Sequence, residues 1–271
     1  MPWRAFHDPD ICLPVVARRA TEHALDLIAG IGEILATGGR SLTWNTTARM
    51  DSPAAHYTAV TRLRKAGLIA SRGRNGRSPV LILTEAGEAG LAWGARPHAH
   101  WDRRWNGIWY VLAYDVPEAD RKYRNALRLF LHRLHMGCLQ RSVWVTHRDI
   151  RPEYDDLVHG AAVDAFSFLL EATTVLGRSS QDIVRQAWGV DRLERVQGLY
   201  IEVFEENLAR VLQERDSPAD LMALAGEEAA AYRAAMAEDP LLPRGLWPPG
   251  YLGPQAYDLH ERCIRTIAER L

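Results

Sequence analysis

The stretch from Trp105 to Val175 constrains the fold most, because its hydrophobic period switches repeatedly between strand and helix. "GIWYVLAYDV" is an apolar run of strand length that ends on Asp115 and turns at Pro117. "EADRKYRNALRLFLHRLHMG" then places Ala126, Leu127, Phe130, Leu131 and Leu134 on one helical face. "CLQRSVWVT" reads as a second strand, a helix opens at Pro152, and "AFSFLLEATTV" is a third strand. Strand, helix, strand, helix, strand predicts a small ferredoxin-like α+β layer over residues 105–180.

A different pattern precedes it. Ala24, Leu25, Ile28, Ile31 and Leu35 recur at helical intervals before Gly38-Gly39, and a shorter helix is expected over residues 44–50. "DSPAAHYTAVTRLRKAG" has Ser52 as N-cap, Pro53 at the first helical position and Gly67 as the stop. Ala59, Val60, Leu63 and Ala66 form its apolar stripe, which turns Thr58, Thr61, Arg62 and Lys65 to solvent. "LIASRGRNGRSPVLILT" follows, two apolar runs around Asn75-Gly76, a strong hairpin signal. Helix, helix, capped helix and basic hairpin is the order of a winged helix-turn-helix, expected over residues 18–95.

Charge supports that reading. Between residues 40 and 80, Arg40, Arg49, Arg62, Arg64, Lys65, Arg72, Arg74 and Arg77 face Asp51 alone. Between residues 202 and 239 the balance reverses, and ten carboxylates face Arg210, Arg215 and Arg233. The first stretch suits a polyanion such as double-stranded DNA, and the second repels one. Thr58, Arg62 and Lys65 would approach base edges, Arg72, Arg74 and Arg77 would hold phosphates, and Thr61 belongs to the same DNA-binding set.

From Gln181 onward the pattern is helical, with Asp191, Ser217-Pro218 and Gly253-Pro254 as start signals. Trp188, Val196, Tyr200, Phe204, Leu208 and Val211 recur at helical spacing, a stripe that reads as core or dimer contact. The chain thus divides into an N-terminal arm (1–17), the winged helix (18–95), a linker (96–104), the ferredoxin-like layer (105–180) and a helical C-terminal domain (181–271). Cys12, Cys138 and Cys263 are odd in number and far apart, which speaks for a reducing compartment. The start lacks the order of a signal peptide and no run reaches membrane-spanning length, so a cytoplasmic protein is expected.

Two resemblances rest on particular residues. Tyr114-Asp115 at a strand end, an arginine-bearing helix and "LQRSVWV" resemble the ferredoxin-like domain of the CRISPR-associated Cas-two proteins. There the matching aspartate implies a metal-dependent nuclease. The same stretch is similar to the central domain of the PaaX family, repressors of phenylacetate catabolism. Further on, "QAWGVDRLERVQGLY" resembles that family through Ala187, Trp188, Leu193 and Tyr200, and "DPLLPRGLWPPGYLG" through Asp239, Pro240, Leu241, Leu242 and Pro243. Three places depart from it: His135-Met136 stands where Gly-Phe is usual, Trp247-Pro248-Pro249 replaces a leucine, proline and acidic pattern, and His56-Tyr57 lies near a usual valine and arginine. The resemblance implies a repressor that binds operator DNA as a homodimer. It also implies a small-molecule effector, an aromatic compound or its CoA thioester, at the junction of the central and C-terminal domains.

Asp115 therefore has two readings. As a catalytic carboxylate it would hold a divalent cation with further oxygen ligands, yet no acidic residue lies on the neighbouring "CLQRSVWVT". As scaffold it would cap the following helix or pair with Arg121 or Arg124. His98, His100, Trp101 and Trp105 read as linker packing, and His132 with His135 lacks the flanking pattern of a metal site. The sequence shows no phosphate-cradling glycine loop and no nucleophile elbow around Ser142 or Cys138. A regulator without cofactor or metal is the expectation, and an enzyme acting through Asp115 or a re-used effector pocket is the alternative.

Overall fold

The computed structural model describes residues 3–4, 61, 63–75, 78–84, 96–117, 120–161, 163–214 and 216–270. The helices expected before residue 61, and Thr58, Arg62 and Arg77, lie outside the described residues. The chain forms two compact units, one from Met1–Pro97, Val196–Ala237 and Leu252–Leu271, the other from His98–Arg195 and Glu238–Tyr251.

The second unit is built on a four-stranded antiparallel sheet. Its strands are β3 (Trp109–Tyr114), β4 (Gly137–Gln140), β5 (Val143–Thr146) and β6 (Ser167–Ala172), in the order β4-β5-β3-β6. Helix α2 (Arg121–Arg133) joins β3 to β4, and α3 (Arg151–Ala161) joins β5 to β6, giving the β-α-β-β-α-β order of a ferredoxin-like layer. The single strand expected over "CLQRSVWVT" is thus two strands with a turn at Arg141-Ser142.

The strand β3 reads as unbroken apolar sequence because both of its faces are covered. Tyr110, Leu112 and Tyr114 pack with Trp144, Leu127 and Leu131 beneath α2 and α3. Trp109 and, partly buried, Val111 face the other way, onto Ile183, Val184 and Ala187 of helix α4 (Ser180–Ala187) and onto Leu242 and Leu246. Each large side chain so buried contributes about 2 kcal/mol. On α2, Ala126 is exposed although it was expected inside, and the half-buried Tyr123 holds the inner row against Phe166 instead.

Helix α4 is fixed by a capping box in which Ser179 and Asp182 exchange hydrogen bonds. It presses closely on β4, where a Cβ at Gly137 would lie 2.6 Å from Ala187 Cβ and 2.7 Å from the Trp188 ring. Short helix α1 (His98–Trp101) belongs to this unit too, with Trp101 buried edge-on against Trp247 and Tyr251.

The first unit holds the hairpin β1 (Ile69–Asn75) and β2 (Ser78–Leu83) and three long helical segments. These are residues 196–213 of α5 (Val190–Gln213), α6 (Pro218–Met236) and α7 (Gly253–Arg270). Ser217 caps α6 by accepting from Asp220 N, with Pro218 opening the first turn as the sequence predicts. The expected stripe of α5 is core: Val196, Tyr200, Phe204, Leu208 and Val211 are all buried. Trp188 is not part of it, because it ends α4 and Gly189, at φ +57°, intervenes before α5. Within the core, buried Glu228 accepts from Tyr200 Oη at 2.5 Å and lies 2.8 Å from His260 Nδ1, and the His260 ring stacks on Tyr232. Among the described residues no helix is long and apolar enough to cross a membrane.

Candidate functional site

The described part of the basic module is a helix end locked to a hairpin. Residues 63–65 are helical, with Leu63 buried and Arg64 and Lys65 exposed; Ala66, expected inside, is also exposed. Gly67 adopts φ +70°, its N–H reaches Arg64 O at 3.0 Å, and Leu68 N reaches Leu63 O at 3.0 Å. This pair of bonds is a Schellman ending, and the left-handed residue in it favours glycine. The chain enters β1 directly. Thr84, just past β2, donates from N to Leu68 O at 3.1 Å and from Oγ1 to Gly67 O at 2.6 Å, so both ends of the hairpin are tied to the helix end.

Pairing closes at Asn75↔Ser78, one residue later than a turn centred on Asn75-Gly76 would give. An irregularity between Ser71 and Arg74 puts an extra residue in β1 beside Arg72. Thr61 is half-buried rather than turned fully to solvent.

Asp115 directly follows the last residue of β3. Its backbone N donates to Phe166 O at 2.9 Å, and its side chain is exposed. Helix α2 starts six residues later, at Arg121, with Asp120 in the cap position beyond Val116-Pro117, so Asp115 does not cap it. No group of three His, Cys, Asp or Glu among the described residues is arranged to hold a metal ion. His132 sits edge-on over Trp144.

A cationic cluster in the second unit has no counterpart in the sequence reading. Arg148 is largely buried and donates to Leu134 O, next to His100, His135 and His147. Burial, then the charge of Arg148, pushes His135 down to about 4 and His147 to about 3. His100 falls to about 4, chiefly through burial and then the charge of Arg103. All three imidazoles are neutral at pH 7 while the arginines stay charged.

The Asp239 turn forms a third constellation. Its buried carboxylate accepts from Leu241 N at 2.8 Å and from Tyr251 Oη at 2.8 Å to each oxygen, and Tyr251 Oη accepts from Trp101 Nε1 at 3.0 Å. Leu241 is held at φ +46°, a conformation that a leucine adopts only when its surroundings impose it.

Residues 102–184 match the model of the PaaX protein central Cas2-like domain, and residues 188–270 match that of the PaaX-like protein C-terminal domain. The chain belongs to the PaaX family. Among solved structures, the uncharacterized protein Rv0674 from Mycobacterium tuberculosis is similar, with 18% identity, 93% of this chain and 97% of that chain covered, and a TM-score of 0.54; the likeness is one of fold. No curated protein matches the chain.

For a PaaX-family chain, two of the sequence landmarks now have structural roles. Ala187-Trp188 closes α4 onto β4, with Trp188 Nε1 donating to His135 O at 3.0 Å. Asp239–Pro243 is the turn that the buried carboxylate holds together. The departure at His135 falls at another Schellman ending, where His135 N reaches His132 O and Met136 N reaches Leu131 O at φ +54° for His135. A glycine there needs no strain to adopt that φ.

Proposed function

We propose that this chain is a DNA-binding transcriptional regulator, a repressor that holds operator DNA as a homodimer and is released by a small-molecule effector. The two family matches support a PaaX-like regulator in general terms. The observation that carries the DNA-binding part is the Gly67 junction, which fixes an exposed helix end bearing Arg64 and Lys65 against an arginine-bearing hairpin. In this reading residues 18–95 form a winged helix. Thr58, Arg62 and Lys65 meet base edges in the major groove, Thr61 lies in the same DNA-binding set, and Arg72, Arg74 and Arg77 lie along phosphates. Two such modules on a two-fold axis read a partly palindromic site. The effector, an aromatic compound or its CoA thioester, binds the DNA-free state better and releases the operator by population shift.

Replacing one arginine of each kind tests the assignment. Arg74→Ala is expected to weaken binding to operator and random duplex alike and to lower the slope of log affinity against log salt by about 1. Arg62→Ala is expected to cost about 1–3 kcal/mol on operator and far less on random DNA, which relaxes sequence preference. Equal losses on both duplexes for Arg62→Ala would remove it from the base-reading set.

A further inference from the structure

The acidic stretch that begins at Glu202 repels a polyanion, yet one of its faces carries a bound segment of this same chain. Trp3 is buried on the first unit, with its Nε1 donating to Glu227 Oε2 of α6 at 2.5 Å and the Arg210 guanidinium of α5 over its ring at 5.9 Å. Arg4 N donates to Asn207 Oδ1 at 3.0 Å, and Asn207 Nδ2 donates back to Arg4 O at 3.0 Å. The Arg4 guanidinium meets Glu202 at 2.8 Å and Glu206 at 3.2 Å.

Each partner on α5 is costly to the helix without a ligand. Asn207 is a poor helix former and buried, and a buried amide without partners is destabilising. Glu202 and Glu206 are like charges one turn apart, which repel. Together the groups read three features of a peptide. The Asn207 amide grips an N–H and C=O of one residue as a neighbouring strand does, whatever the side chain. The Arg210 and Glu227 niche takes an aromatic ring with a donor on its edge. The glutamate pair takes a cation.

We propose that this face of α5 and α6 is a recognition site for an extended Trp-Arg segment, and that Trp3-Arg4 is its tethered, exchangeable occupant. Exchange is possible because the Arg4 ion pairs are exposed and, among the described residues of the segment, Trp3 and Arg4 make the contact, so tethering raises occupancy through effective concentration. The proposal stands apart from the DNA-binding reading.

Two measurements test it. In the full chain labelled with 5-fluorotryptophan, Trp3→Phe identifies the Trp3 fluorine resonance. Asn207→Ala is expected to move that resonance to its position in a free peptide of residues 1–8. A chain lacking residues 1–6 is then titrated with the same peptide carrying a fluorophore. Saturable binding is expected, weakened by salt and about tenfold weaker with Trp3→Ala in the peptide or Asn207→Ala in the chain. A Trp3 resonance that Asn207→Ala leaves in place overturns the proposal, whether or not the shortened chain folds. So does a shortened chain with the full chain's circular dichroism that fails to bind the peptide.

Discussion

At the scale of single residues, His135 and Tyr251 show most directly how local chemistry is set by position. His135 occupies a left-handed helix ending that costs a non-glycine residue about 1 kcal/mol. It also buries an imidazole beside the Arg148 guanidinium. His135→Gly is therefore expected to stabilise the protein by about 1 kcal/mol in urea unfolding at pH 7. The pH dependence has a definite sign. The folded pKa values of His100, His135 and His147 lie below the ordinary 6.5, so the unfolded chain binds more protons in that window. Stability is full above pH 6.5 and is lost as pH falls toward and through about 4. His135→Gly should show a shallower fall over that window, and parallel pH curves would show that His135 is not one of the titrating groups. Tyr251→Phe leaves a buried carboxylate with fewer donors and Trp101 Nε1 without its acceptor. A loss of about 2–3 kcal/mol is expected, read as a lower urea midpoint at unchanged slope.

At the scale of elements, the contact of α4 with β4 decides how the ferredoxin-like layer is covered. Gly137→Ala would drive a methyl into Ala187 and the Trp188 ring, neither of which is the end of a flexible side chain. A destabilisation of about 1–3 kcal/mol is expected, with near-ultraviolet circular dichroism changing as the tryptophan environment shifts. A neutral Gly137→Ala would mean that α4 does not pack on β4 as described. The layer was legible in sequence because β3 and β6 are apolar runs of strand length, α2 keeps a helical period and α3 opens at Pro152, and α6 because Ser217-Pro218 is local chemistry. The β4–β5 split was not, since Arg141-Ser142 holds no Gly, Pro, Asn or Asp and a single serine is a weak turn signal. The turn of hairpin β1–β2 was placed a residue early because register depends on the irregularity near Arg72, which no local motif announces. Asp115 could be named from sequence, but which strands lie beside β3 could not, since that is set by the sheet order.

At the scale of the whole molecule, sequence proximity says little about what meets what. Trp101 and Tyr251 are 150 residues apart and bond within one unit, and Arg4 meets Asn207 across 203 residues in the other. Contacts of that range are set by the fold and leave no local periodicity, so neither was visible beforehand. The family was visible, because its landmarks at Ala187-Trp188 and Asp239–Pro243 are short and serve packing that a few side chains complete. The regulator reading makes its sharpest demand on the full chain with DNA. The deciding measurement is a fluorescence-anisotropy titration on the duplex upstream of its own coding sequence, with a random duplex of equal length, at two salt concentrations. Tight binding that prefers the upstream duplex and weakens steeply with salt is expected. Absence of binding at low salt, or equal affinity for both duplexes, would contradict the account.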